Sequence, residues 1–214
     1  MSGSNPTSRV ADEVVILENA EASQTGARTV APDHSPRSAY VEGAPPALGI
    51  AETGSQITSV QHRVEQFLYY QSELLDGKHW RAFTDLFTDD GVYWMPATPE
   101  QKDWVNSPSI FAEDRSIMSI RAGRVTHPNA WSQAPEWGTS HLVGNVTVEA
   151  ESPTEVRVRS RFIMTELRRD SVRTFAGSYR HWLVPEGRTF RIKLQRVDLV
   201  NGQAPYDYVL QAWV

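Results

Sequence analysis

Apolar residues between Val60 and Leu75 recur at helical spacing. Val60, Val64, Phe67, Leu68, Gln71, Leu74 and Leu75 share one stripe, and only Gln71 among them is polar. Such a stripe predicts an amphipathic helix with one buried face. Thr58-Ser59-Val60-Gln61 supplies a capping-box pattern at its start, and Gly77 stops it. A second, short helix follows, with Trp80, Phe83, Leu86 and Phe87 on its inner side. Asp89-Asp90-Gly91 and a strand over 92–97 come next. After a Pro-containing loop, Phe111 to Val125 reads as a third helix anchored by Ile117, Met118 and Ile120.

From Gly138 the pattern switches to period two. Four long strands are predicted, over about 139–150, 154–168, 171–184 and 188–200, each rich in β-branched or aromatic residues. In the last of them the apolar face runs Phe190, Ile192, Leu194 and then shifts phase to Val197 and Leu199. A one-residue slip of that kind predicts a β-bulge, which bends the strand. Helices first, then a long meander, give an α+β fold in which a mostly antiparallel sheet curves around the helices as a cone.

Asp89 and Asp90 are adjacent carboxylates just ahead of an aromatic run. Neighbouring side chains on extended chain point to opposite faces, so the two do not converge readily on one substrate. Asp and Gly also favour turns, through local hydrogen bonds and tolerance of positive φ. The pair reads as a turn rather than as an acid and a base.

Residues 1–56 differ from the rest. They hold one aromatic residue, five prolines and five glycines, with seven acidic against three basic side chains. A segment so poor in apolar surface cannot offset its ordering entropy, so it reads as a mostly disordered extension. Residues 57–214 carry 20 of the 21 aromatics and form the folded domain.

A net charge of −5 argues against nucleic acid as a partner. No apolar run is long enough to span a membrane, and no basic-then-apolar leader opens the chain. The cytoplasm is the expected location. Cysteine is absent, which excludes disulfides, thiol nucleophiles and any cluster that needs thiolate ligands.

Four stretches together resemble the small (β) subunit of aromatic-ring-hydroxylating dioxygenases, the Rieske non-haem iron oxygenases. They are VEQFLYYQSELLDGKHWRAFTDLFTDDGVYWMP (64–96), EDRSIMSIRAGRV (113–125), TSHLVGNVTVE (139–149) and VRVRSRFIM (156–164). The resemblance implies a nuclear-transport-factor-2-like (ketosteroid-isomerase-like) cone. It also implies assembly with a large α subunit, commonly as three α and three β chains around a β trimer. In that family the α subunit carries the Rieske [2Fe-2S] cluster and the mononuclear Fe(II). Electrons come from NAD(P)H through a reductase and a ferredoxin. The β subunit is chiefly structural, so no catalytic, cofactor or metal residue is expected in this chain. Its lack of cysteine and the scatter of its six histidines over positions 34, 62, 79, 127, 141 and 181 agree with that division.

Two alternatives accompany this reading. The first is a stand-alone dehydratase or isomerase of the same fold, in which His141 is the base and Asp76 its orienting carboxylate, positions implied by resemblance to scytalone-dehydratase-like enzymes. Leu75 stands where such a dehydratase would place a tyrosine. The second is a module whose cone holds a small apolar ligand. Candidate interface residues are Arg157, Arg159 and Arg161, which alternate along one strand, Tyr179 and His181, two apart on another, and Trp131 and Trp137 in a proline-containing loop. Like charges along one strand face repel unless solvent or a partner's carboxylates answer them.

Overall fold

The structure, a computed structural model, describes residues 59–130, 137–205, 210 and 213–214. The expectations for residues 1–56 and for Trp131 lie outside them.

Helix α1 (Val60–Asp76) buries the predicted stripe, with Val64, Phe67, Leu68, Gln71, Leu74 and Leu75 all inside. Its cap differs from the predicted box. Ser59 is the N-cap and its side chain accepts from the His62 N–H, while the Gln61 amide turns away to the Val146 carbonyl at 2.9 Å. Gln61 is thus drawn off the helix end by a sheet carbonyl that needs a donor. Helix α2 (Trp80–Asp85) buries Trp80, Phe83 and Thr84, and Phe87 already belongs to strand β1 (Phe87–Pro96).

The stretch expected as one helix from Phe111 divides in two. Ser109–Asp114 is strand β2, antiparallel to β1, and only Arg115–Val125 is helical, as α3. The division falls at Asp114, whose carboxylate caps the helix by accepting from the Ile117 N–H at 2.9 Å. Of the three expected anchors only Met118 is buried. Ile117 and Ile120 face outward, and Ala122 takes the second inward position.

Strands β3 (Trp137–Glu151), β4 (Val156–Arg168), β5 (Ser171–Glu186) and β6 (Thr189–Leu199) form the antiparallel meander. The six-stranded sheet has the order β2-β1-β6-β5-β4-β3, and β1 runs parallel to β6, so the sheet is mixed. Its inner face and the three helices share one apolar cluster that includes Phe83, Phe87, Tyr93, Met95, Phe162, Phe175 and Phe190. Full burial of one such side chain contributes about 1.5–3 kcal/mol.

Two of the register breaks in this sheet bear on its inner face. Asp89-Asp90-Gly91 lies inside β1 rather than ahead of it, in a bulge between the Phe87↔Ile192 and Val92↔Leu194 pairs. Gly91 is needed there because a Cβ would stand 2.7 Å from the Ile192 carbonyl oxygen. The second break leaves Lys193 unpaired between Trp182↔Leu194 and Leu183↔Ile192. The bulge therefore precedes Leu194, which joins Val92, Trp94 and Trp182 on the outer face. The inner face continues through Gln195, Val197 and Leu199. The phase pattern had placed Leu194 inside.

Candidate functional site

Asp76, the last residue of α1, meets β3 within the cone. Its Oδ1 lies 2.6 Å from His141 Nδ1 and accepts from the Thr139 hydroxyl at 2.9 Å. Its Oδ2 accepts from the His141 backbone N–H at 2.8 Å. Burial raises the Asp76 carboxyl, but the hydrogen bonds from His141 and Thr139 outweigh that and hold it below the ordinary carboxylate range. The contact holds the His141 ring with its Nδ1 edge toward Asp76. The imidazole is 1% exposed, and Nε2 has no hydrogen-bond partner among the described residues. The dyad thus ties the helix end to the sheet.

Deeper in, Tyr179 and His181 lie side by side on the inner face of β5. Tyr179 stacks on Phe162 at 4.2 Å, and its ring meets that of His181 edge-on. Burial pushes His181 down to about 3, opposed only in part by the neighbouring Gln195 amide, so this imidazole is neutral. Burial likewise raises Tyr179 well above the ordinary phenol range. Both residues are core, and as interface candidates they do not reach the surface.

The sequence reading missed the partners of this interior. Gln71 donates to Gln195 Oε1 at 2.8 Å, joining α1 to β6 through two buried amides. Gln71 was the only polar member of the helix stripe, and that was the available signal. Glu113 is buried on β2, holds Arg121 of α3 in an ion pair, and accepts from the Trp213 indole at 3.0 Å. Reading residues 111–125 as one helix hid its inward direction.

The outer face carries the arginine stripe. Arg157 pairs with Glu155 and Arg159 with Glu149, each at 2.8 Å. Arg159 lies opposite Arg180, and Arg161 opposite Ser178. Arg161 and Arg180 are exposed and form no ion pair among the described residues. Beside them lie exposed Leu142, Ile163, Leu167 and Val172, with Leu142 opposite Ile163 and Leu167 opposite Val172. Trp137 is buried against Trp80 at 5.8 Å and is not a surface anchor.

Among the described residues no group of three His, Cys, Asp or Glu side chains could hold a metal ion. His62, His79, His127, His141 and His181 sit on five separate segments, and a Rieske cluster needs two thiolates that this chain lacks. The described residues fit neither iron site. Asp89 and Asp90 are exposed and answer Arg115 and Lys193, so they do not form a catalytic pair.

A family profile described as "Ring hydroxylating beta subunit" matches residues 71–204. The chain belongs to that family. One relative, the biphenyl 2,3-dioxygenase subunit beta of Rhodococcus jostii, is 28% identical over 156 residues, covering 68% of this chain and 83% of its own. The crystal structure of the benzoate 1,2-dioxygenase β subunit from Burkholderia mallei superposes with a TM-score of 0.58 at 26% identity. That match covers 72% of this chain and 99% of the other. A putative scytalone dehydratase from Novosphingobium aromaticivorans, 19% identical with a TM-score of 0.51, covers 70% of this chain and 88% of its own and shares the fold alone. The β-subunit assignment and the cone fold expected from the sequence both stand, and the stand-alone dehydratase is not favoured. Among the described residues no helix is long and apolar enough to cross a membrane.

Proposed function

We propose that this chain is the structural, non-catalytic subunit of a cytoplasmic aromatic-ring-hydroxylating dioxygenase of aromatic catabolism. Its partner is an α subunit that carries the Rieske cluster and the mononuclear iron, assembled as three α and three β chains around a β trimer. Reductase and ferredoxin act on the α subunit and meet this chain only indirectly. One observation carries the reading: the family match spans residues 71–204, from within α1 to just past the end of β6. A chain without cysteine cannot itself supply the two thiolates of the Rieske cluster, which supports placing that cluster in the α subunit.

The outer face of β3, β4 and β5 is the docking surface in this proposal. Arg161 and Arg180 offer planar cations to a partner's carboxylates, and the Leu142–Ile163 and Leu167–Val172 pairs supply an apolar centre. Arg157 and Arg159, already answered by Glu155 and Glu149, lie at its margin.

The test is reconstitution. The purified chain should carry no iron and turn over no arene, and adding the α subunit should give a hexamer with dioxygenase activity. Stoichiometric iron in the isolated chain, or turnover without α, would end the reading. Charge reversal at Arg161 and Arg180 should leave the chain folded but weaken assembly. Unchanged assembly would remove this face from the proposal and leave the function untouched.

A further inference from the structure

Trp213 and Val214 are buried in the main apolar cluster, although no helix or strand carries them. The Trp213 ring packs against Trp80 at 5.6 Å and Phe83 at 5.2 Å, with the Arg121 guanidinium 5.7 Å from its centroid. Its N–H is donated to Glu113 Oε2 at 3.0 Å. The other Glu113 oxygen is taken by Arg121, whose Nε donates at 2.7 Å. Val214 is held by its backbone: its N–H donates to the Tyr93 hydroxyl, and that hydroxyl donates to the Val214 carbonyl, both at 3.1 Å. Tyr93 and Glu113 are neighbours across the β1–β2 ladder.

Each part of this socket recognises a chemical property. Aromatic walls accept a flat ring, and a guanidinium near its face favours an electron-rich one. Glu113 Oε2 is a buried carboxylate oxygen, and leaving it without a donor costs more than a neutral hydrogen bond is worth. An apolar hole would take any ring. This one discriminates for an N–H.

We propose that Trp80, Phe83, Glu113 and Arg121 form a binding site for a planar aromatic ring bearing an N–H donor, and that Trp213 fills it as an intramolecular ligand. Because Val214 is anchored separately through Tyr93, removal of the indole alone opens the site.

The experiment uses the full chain with Trp213→Ala, and indole and 1-methylindole as probes, read by thermal unfolding. A ligand that binds only the folded state raises the melting temperature. Indole should raise that of the variant by several degrees and bind at least about tenfold tighter than 1-methylindole, which cannot donate to Glu113. The unsubstituted chain should show no shift. Trp213→Phe, which keeps a ring in place, should respond to neither probe. If Trp213→Ala is insoluble, the same comparison is read as recovery of soluble protein on refolding with each probe. Equal response to the two probes reduces the site to an unselective hole. An indole shift of the same size in the unsubstituted chain, or none in Trp213→Ala, overturns the proposal outright.

Discussion

Replacing Asp76 with alanine takes one acceptor from three donors: the Thr139 hydroxyl, the His141 backbone N–H and His141 Nδ1. Hydrogen bonds to a charged group contribute about 1.5–3 kcal/mol each, and a buried donor left alone costs about 1–3 kcal/mol. The Asp76 side chain is a quarter exposed, so water can answer some of these groups. A loss of about 3 kcal/mol is the expected net effect. Equilibrium urea unfolding checks it, since at a slope of about 2–3 kcal/mol per molar the midpoint should fall by about 1 M. The pH dependence supplies an independent arm. The folded-state carboxyl lies below its ordinary value. Its contribution is therefore complete above the unfolded value near 3.9 and is lost as pH falls through the folded value. The gap between the parent and Asp76→Asn should accordingly close in acid. A penalty below about 0.5 kcal/mol for Asp76→Ala, within the range of an ordinary surface change, would refute the clamp. So would a parent–Asp76→Asn gap that holds constant down to about pH 3.

His181 titrates near 6.5 when unfolded but is held neutral in the fold, so the unfolded chain takes up more protons below that value. Stability should fall as pH drops from about 6.5 toward the folded value, by up to about 1.4 kcal/mol per pH unit, and His181→Leu should abolish that component in acid titrations followed by circular dichroism. Gly177→Ala would put a Cβ 2.2 Å from the Asp198 carbonyl oxygen, on the backbone of the paired strand. It should cost about 3 kcal/mol or more in urea unfolding, and a neutral result would mean that β5 and β6 separate easily there. Changing Gln71 and Gln195 together to leucine should cost less than either single change, because each single leaves one buried amide unpaired; additive penalties in a double-mutant cycle would contradict the pairing.

The long elements were legible because their periodicity is continuous. The α1 stripe repeats through Leu75, and β4 and β5 alternate buried and more exposed positions over most of their lengths. Strand β2 was not legible. Its six residues run straight into α3 at Asp114, and both parts supply enough apolar residues to imitate one helix. Leu194 falls on the other face because a bulge announces a change of phase without marking its site: the pattern puts the slip after Leu194, and the extra residue is Lys193, before it. The Asp76–His141 contact joins residues 65 apart, so spacing carries no trace of it and resemblance alone pointed there. Glu113, Trp213 and Val214 were invisible for the same reason. Their meaning depends on three segments arriving at one place.

The unpaired Lys193 has a consequence for how this family member tolerates change. Up to Ile192, strand β6 seals the interior with every second side chain, and the extra residue then hands Leu194 to Trp94 and Trp182 on the reverse side. One strand thereby serves two separate packing layers, joined by a single hinge in its pleat. Deleting Lys193 would make Ile192 and Leu194 ordinary neighbours opposite Leu183 and Trp182, so the bulge should close while Gln195, Val197 and Leu199 keep facing inward.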